Sequence, residues 1–145
     1  MKLLCDINVW LALSLINHEH HGKARSWFDR LHGSDIALFC RVTQQGFLRL
    51  STNTAIFRDV AMTNSRATRV FCEFMRHERI SWQEEPANLE PLWFELASAE
   101  KPSTHLWMDA YLAAFAQLAQ ARLVSFDQGF SRFKKLDWID LNEVK

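Results

Sequence analysis

The chain has 145 residues, of which 48% are hydrophobic and 23% charged, and its formal net charge is zero. These values predict one globular domain over residues 1–145, and they exclude a low-complexity chain or one that binds nucleic acid through overall basic charge. No apolar run approaches the length of a membrane span, and the first residues lack the long apolar segment of a secretory signal. We therefore expect a cytoplasmic protein with no membrane partner.

Five short apolar runs predict buried strands, and six longer segments with helical spacing predict the helices between them. The predicted strands cover residues 3–5, 35–40, 80–82, 122–126 and 138–141. The predicted helices cover residues 8–15, 19–32, 42–50, 63–78, 88–99 and 103–121. Strands that alternate with helices indicate an α/β fold, a three-layer α/β/α sandwich with a central parallel sheet.

Three cysteines are scattered along the chain in apolar surroundings, at Cys5, Cys40 and Cys72. Their odd number and wide spacing match neither a disulfide framework nor a zinc site. We expect all three to be buried free thiols of a reducing compartment.

Two predicted strands run into an acid, the first at Asp6 and the fourth at Asp127. Because parallel strands end at one edge of a sheet, and open α/β sheets bind ligands there, these two acids are candidates to lie close together. Asp6 also has a purely structural interpretation, since Asp commonly caps the helix that follows it.

A third acid, Asp109, lies in the longest predicted helix. Its neighbours at helical spacing are apolar, and the other side carries further large apolar residues, so we expect this helix to be central and Asp109 to lie on a buried surface. A buried unpaired carboxylate is unfavourable, which favours a functional role over a stabilising interaction with the helix dipole. Three clustered carboxylates would repel one another unless a cation lies between them, and a hard divalent ion such as Mg²⁺ fits such ligands.

Four segments of the chain resemble the PIN-domain ribonucleases, and more narrowly the VapC-type toxins of bacterial type II toxin–antitoxin pairs. In chain order the segments read LCDINV (residues 4–9), VTQQGFLRL (42–50), DAYLAA (109–114) and SFDQGF (125–130). The resemblance implies a PIN-like fold and a Mg²⁺- or Mn²⁺-dependent endoribonuclease whose metal ligands are Asp6, Asp109 and Asp127. It also implies an RNA substrate (tRNA, rRNA or mRNA), inhibition by a cognate antitoxin, and a homodimer.

The chain departs from the family pattern at Gln44, which stands where the family usually has a further Glu. An amide can still offer one oxygen, so we expect Gln44 to assist at the catalytic site with lower metal affinity. Asn8 and Ser125 adjoin the acids in sequence and are candidates to orient Asp6 and Asp127. Candidates for contact with the RNA backbone are Arg66, Arg69, Arg132, Lys134 and Lys135.

Two other functions fit parts of the sequence. The first is a PIN-fold binding module that keeps its antitoxin but has lost turnover through Gln44. The second is a phosphotransfer enzyme or receiver domain, which the pattern disfavours because Asn8 replaces the second acid of a dehalogenase-type phosphatase, and because Asp6 follows the first strand. The run His18-Glu19-His20-His21 suggests a metal site, but its position at a predicted helix start favours a solvated segment.

Overall fold

The computed structural model describes residues 1–145 and contains five strands and seven helices. The strands are β1 Lys2–Cys5, β2 Ile36–Phe39, β3 Ile80–Trp82, β4 Arg122–Ser125 and β5 Trp138–Asp140. The helices are α1 Ile7–Ser14, α2 His21–Asp29, α3 Arg41–Ser51, α4 Thr54–Phe57, α5 Asn64–Arg76, α6 Leu89–Leu96 and α7 Thr104–Leu118. Two short 3-10 turns cover Arg58–Val60 and Gln128–Arg132. None of the helices combines the length and apolar character needed to cross a membrane.

The five strands form one sheet in the order β3-β2-β1-β4-β5, and every neighbouring pair is parallel. β1 is central, with Leu4 level with Leu38 of β2 and with Leu123 of β4. The predicted α/β class with a central parallel sheet is confirmed. The carboxyl ends of β1, β2 and β4 therefore lie side by side.

Alternate residues of the strands face opposite layers, as the period of a strand requires. Leu4, Leu38 and Leu123 pack against α6 and α7, whereas Leu3 and Phe39 pack against the layer of α1, α2, α3 and α5. Each face of the sheet thus has its own core, which produces the three layers.

Helix α7 packs on the sheet through small buried residues, at Ala110, Ala113, Ala114 and Ala116. Its other side was expected to be buried as well, through Trp107, Tyr111, Phe115 and Leu118. Tyr111 and Phe115 are buried, but Trp107 and Leu118 are 54% and 41% exposed, because α7 lies in an outer layer that covers it incompletely. Asp109 lies on the boundary between the buried and exposed sides.

The prediction of three buried thiols was wrong for Cys72, which is exposed, whereas Cys5 and Cys40 are buried. Helix α5 turns Phe71 and Phe74 towards the core. Cys72 lies on the opposite face, where its neighbours at helical spacing are Arg69 and Arg76. Apolar neighbours in sequence therefore did not indicate burial at this position.

The predicted helices mostly end two or three residues later than the observed ones, and two further differences have a local cause. The second helix begins at His21 instead of residue 19, because the ring nitrogen of His18 accepts the backbone N–H of His20 and closes a turn there. Helix α4 was missed, and the side chain of Asn53 caps it by accepting the N–H groups of Ala55 and Ile56. Four residues are too few to show a helical period.

Candidate active site

Asp6 lies at the carboxyl end of the central strand, where it also begins α1. Its backbone N–H donates to the carbonyl of Val124 in β4, which fixes its level in the sheet. Its Oδ1 accepts the N–H of Ile7 at 2.7 Å, so the capping interpretation is correct. The other oxygen, Oδ2, faces a polar group on β4, so capping occupies only half of the carboxylate.

Ser125 connects Asp6 to Asp127 across the sheet edge. Its hydroxyl donates to Asp6 Oδ2 at 2.7 Å, and its Oγ accepts the backbone N–H of Asp127 at 2.9 Å. Asn8 donates to the same Oγ at 3.1 Å and accepts the N–H of Phe126 at 3.2 Å. Ser125 is completely buried. Asn8 and Ser125 therefore fix the orientation of Asp6 relative to the end of β4.

Asp127 follows β4 and is exposed. Its Oδ1 accepts the N–H of Gly129 at 2.8 Å and caps the 3-10 turn that begins at Gln128. The start of that turn is also tied to β5, because Gln128 donates to Asp140 Oδ2 at 3.2 Å. One oxygen of Asp127 is thus held by the turn.

Asp109 approaches the edge from α7, and its side chain is 17% exposed. Its Oδ2 lies 4.0 Å from a terminal nitrogen of Arg132, which belongs to the turn after Asp127. The guanidinium of Arg132 is itself held by a bond from Nε to the carbonyl of Gly129 at 2.9 Å. Arg132 is the only cation that forms an ion pair with any of the three acids.

Burial and like charge disfavour the ionised forms of two of these acids. Burial raises the pKa of Asp6 to about 6, with smaller increases from the charges of Asp109 and Asp127, while the bonds from Ser125 and Ile7 oppose the shift. Burial also raises the pKa of Asp109, followed by the charge of Asp127, while Arg132 and His105 lower it. The three acids therefore affect one another electrostatically, and a bound cation would relieve the repulsion.

The acids fit a hard divalent ion in donor chemistry and in charge, because all three supply carboxylate oxygens and repel one another. They do not converge on one point, since no group of three or more acid, His or Cys side chains is close enough to hold an ion together. Mg²⁺ typically binds to one or two carboxylates and keeps several waters, which suits such an open arrangement.

Gln44 lies in the first turns of α3, beside the carboxyl end of β2. Its Oε1 accepts a hydrogen bond from the guanidinium of Arg41, and its side chain makes no hydrogen bond to any of the three acids. The bond from Arg41 uses one of the two lone pairs of this oxygen, so the expectation that Gln44 assists at the catalytic site stays a prediction.

The five basic residues expected near RNA are dispersed, and only Arg132 contacts the acids. Arg66 lies on α5 beside the end of α1, and Arg69 and Lys134 are exposed and form no ion pair. Lys135 lines a depression with Met1 and Arg122 at the amino ends of the strands, which is the opposite edge of the sheet. Lys135 therefore lies away from the acids, because the chain after Arg132 returns to that edge before β5 begins.

Sequence reasoning missed Arg41. It is exposed, begins α3, and lies with its guanidinium carbon 4.8 Å from the ring centroid of Trp82 at the end of β3. Arg41 and Gln44 are three residues apart at the start of α3, and this spacing predicts contact between their side chains. The position of Arg41 after the strand next to β1 also placed it at the same sheet edge as Asp6.

Comparisons with known proteins identify the family. The model of the PIN domain matches residues 3–136. Ribonuclease VapC41 of Mycobacterium tuberculosis is 40% identical over 135 residues, which cover 90% of this chain and 92% of that protein.

Two solved structures share the fold at much lower identity. VapBC-1 from nontypeable Haemophilus influenzae gives a TM-score of 0.71 at 16% identity, over 99% of this chain and all of the other. VapC20 of Mycobacterium tuberculosis, described as a sarcin-ricin loop cleaving toxin, gives 0.67 at 14% identity, over 93% of this chain and 97% of the other. The family match and the curated relative together place this chain in the PIN domain family, among its VapC-type ribonucleases.

Proposed function

We propose that this protein is a divalent-metal-dependent endoribonuclease toxin that hydrolyses RNA phosphodiester bonds and is inhibited by a cognate antitoxin. The observation that carries the proposal is the environment of Asp6, whose carboxylate is fixed by Ser125 and Ile7 while burial and two further acids raise its pKa. A carboxylate that is held firmly in this electrostatic environment is suited to binding a cation.

In this proposal Asp6, Asp109 and Asp127 hold the ion together with bound waters, since the three carboxylates do not converge on one point. Asn8 and Ser125 keep Asp6 and the end of β4 in a fixed relation. A Mg²⁺ or Mn²⁺ ion bound there would lower the pKa of a water and offset charge on the phosphate. Ser125 and Asn8 both donate to Asp6 Oδ2 and so hold the carboxylate in one orientation. Asp127 is exposed and so accessible to a large RNA substrate such as tRNA, rRNA or mRNA.

An apolar groove supports the proposed antitoxin. The end of α1, with Leu11 and Ile16, faces α4 and the following turn, with Ile56 and Val60. Ile16, Ile56 and Val60 are 81%, 56% and 45% exposed, although such residues are normally covered. An apolar antitoxin segment would cover them.

We expect Ile56→Arg to place a charge in this groove and so to abolish co-purification with the co-expressed product of an adjacent small gene, while RNA cleavage persists.

A second exposed apolar area supports the proposed homodimer. Phe94, Trp107 and Met108 lie on α6 and α7, away from the groove just described. A second copy covering this area would bury all three side chains, and Phe94→Arg should then convert a dimer to a monomer in light scattering.

The free thiols Cys5 and Cys40 accord with a cytoplasmic site of action, which we include in the proposal.

The function is tested by cleavage of labelled RNA with Mg²⁺ or Mn²⁺. We expect Asp6→Asn and Asp109→Asn each to lower the rate by at least about a hundredfold, since each removes charge from the ion site. Asp137→Asn is the matched control, because Asp137 pairs with Arg122 at the opposite sheet edge and its loss should leave the rate unchanged. New 5′-phosphate ends are expected, and full activity of the Asp6 variant would refute the proposal.

Gln44 favours one alternative, a PIN-fold module that binds its antitoxin but does not turn over RNA. The amide contacts Arg41 and none of the acids. The test is Gln44→Glu. A large gain of cleavage from an inactive parent would support the alternative, whereas an active parent would exclude it.

A further inference from the structure

The side chains of Arg41, Gln44 and Trp82 form a cationic site on the β2 side of the acids. Arg41 follows β2, and the register of the sheet places Cys40 level with Asp6. Neighbouring strands are about 4.8 Å apart, so Arg41 begins roughly one strand spacing from the first acid. On the other side, Arg132 follows β4 and pairs with Asp109. The acids are thus flanked by one arginine on each side.

Two contacts hold the Arg41 side chain without neutralising its charge. Its guanidinium donates to Gln44 Oε1 and lies over the indole of Trp82 at 4.8 Å. Trp82 is itself fixed, because its Nε1 donates to Glu84 at 2.9 Å. Arg41 forms no ion pair with a carboxylate. An oriented but unpaired guanidinium has donors left for an anion.

Gln44 determines whether this charge is available. A Glu at this position would pair with Arg41 at helical spacing and cancel its charge. The amide holds the guanidinium but leaves the positive charge, and the first turn of α3 contains no acid. The two acids after β3 have other partners, since Glu84 accepts the indole N–H of Trp82 and Glu85 accepts the hydroxyl of Tyr111, and neither forms an ion pair with Arg41. The helix start adds its own partial positive charge at this edge.

We propose that Arg41, held by Gln44 and Trp82, binds a backbone phosphate of the RNA next to the bond that the acids cleave. The inference rests on the proposed ribonuclease function and specifies how the substrate lies. The strand crosses the carboxyl edge of the sheet from β2 to β4, with the acids between Arg41 and Arg132. In this chain the position of the usual fourth acid contributes to substrate binding instead of metal binding.

The test measures RNA binding without turnover. Fluorescence anisotropy of a labelled single-stranded oligoribonucleotide is recorded in EDTA over a series of salt concentrations. We expect Arg41→Gln to weaken binding about tenfold and to lower the salt slope by about 0.7, the value for one phosphate contact with a single strand. Arg49→Gln is the matched control, because Arg49 is exposed in the last turn of the same helix, and it should change neither quantity.

Two further variants separate charge from orientation. Arg41→Lys keeps the charge and should restore the salt slope, although it loses the planar stacking on Trp82. Gln44→Glu should weaken metal-free RNA binding about as much as Arg41→Gln does, because the new carboxylate pairs with Arg41. Circular dichroism checks that each variant is folded.

Wild-type affinity and slope in Arg41→Gln would overturn the inference, as would an equal loss in Arg49→Gln. Weaker binding of the antitoxin with unchanged RNA binding would also overturn it, since Arg41 would then serve the protein partner. The proposed function fails separately, if the wild-type protein cleaves no RNA with either metal. A wild type that cleaves RNA, together with an Arg41→Gln variant that binds normally, refutes only the Arg41 site.

Discussion

The two oxygens of Asp6 accept three hydrogen bonds: Oδ1 accepts the N–H of Ile7 and caps α1, and Oδ2 accepts the hydroxyl of Ser125 and the amide of Asn8. The ionised carboxyl is nevertheless disfavoured there, because burial and the two neighbouring acids raise its pKa. The charge is therefore retained at the expense of stability, as is common at functional sites.

Replacing Asp6 by Asn should stabilise the metal-free protein. The amide oxygen still caps α1, and the cost of burying the charge and its repulsion from Asp109 and Asp127 both disappear. This gain outweighs the lost acceptor at Oδ2, where an amide nitrogen would face the donors of Ser125 and Asn8. We expect a gain of about 1–2 kcal/mol in the free energy of unfolding, measured by urea denaturation in EDTA at pH 7.5. Addition of Mn²⁺ should raise the melting temperature of the wild type but not of this variant. Destabilisation of the variant in EDTA would contradict the argument.

The pH dependence of stability should also show that the ionised form of Asp6 destabilises the folded protein. The folded protein keeps a proton on Asp6 up to about pH 6, whereas the ordinary pKa is 3.8. Folding therefore takes up a proton between these values, and the contribution of Asp6 to stability falls as pH rises through this window. The difference in unfolding free energy between wild type and Asp6→Asn should follow this course in EDTA.

Asp35 provides a control whose contribution to stability changes with pH in the direction opposite to that of Asp6. The N–H of His32 and the charge of the amino terminus lower the pKa of Asp35, so its contribution is present at neutral pH and is lost as pH falls through its lowered pKa. Equal pH profiles for Asp6→Asn and Asp35→Asn would contradict the assignment of either shift.

Residue-level prediction succeeded where topology determined position. Asp6 and Asp127 could be placed at one edge because two parallel strands end at them, and Asp109 because its helical neighbours are apolar. Gln44 and Lys135 could not be placed in the same way. A competing partner three residues away holds Gln44, and the direction of an irregular turn takes Lys135 to the far edge. Neither effect is visible in hydrophobic spacing.

Helices α1 and α3 approach closely at one glycine, Gly46. A Cβ on Gly46 would lie 2.1 Å from Cδ1 and 2.7 Å from Cγ1 of Ile7. Ile7 follows Asp6 directly, so a larger side chain at position 46 would displace the first residue of the helix that Asp6 caps.

We expect Gly46→Ala to lower the free energy of unfolding by about 1–3 kcal/mol, because Ile7 must move in a packed interface. Gly22→Ala in α2 is the matched control, since its Cβ would meet nothing within 4 Å and the change removes backbone freedom from the unfolded chain. That control should stabilise by up to about 1 kcal/mol. Chemical denaturation of both variants measures the effect, and Ile7→Val combined with Gly46→Ala should recover part of the loss. Equal effects of the two alanines would refute the close approach.

Element-level prediction depended on length and surroundings. The five strands were recognisable as short apolar runs with clear boundaries, and the long helices by their spacing. The exposed side of α7 could not be recognised from the sequence, because its aromatic residues are as apolar as those in the core. Its exposure depends on how many layers cover the helix, which is a property of the assembled fold.

At the scale of the whole molecule, each of the two cores contains one thiol, and the third thiol lies at the surface. Cys5 lies in the core with α1 and α3, Cys40 lies in the core with α6 and α7, and Cys72 is exposed. Burial raises the pKa of both core thiols, which further suppresses their reaction as thiolates.

A thiol-reactive reagent such as dithionitrobenzoate should therefore label one cysteine rapidly in the native protein and all three after unfolding. Cys72→Ser should remove the rapid phase and leave the melting temperature unchanged, because the side chain packs in neither core. Rapid reaction of two thiols in the native protein would show that one of the cores opens.

The central position of β1 has a consequence for how the nuclease is made. Asp6 leaves the ribosome early, but its partner Ser125 lies 119 residues later, and β1 cannot pair with β4 until residues 122–125 have been synthesised. A nascent chain that stops before that point has the acid but lacks Ser125, Asp127 and one side of the central strand. The acidic site thus forms only after most of the chain has been translated, so an interrupted translation product would lack the proposed nuclease site and instead expose an unpaired strand edge.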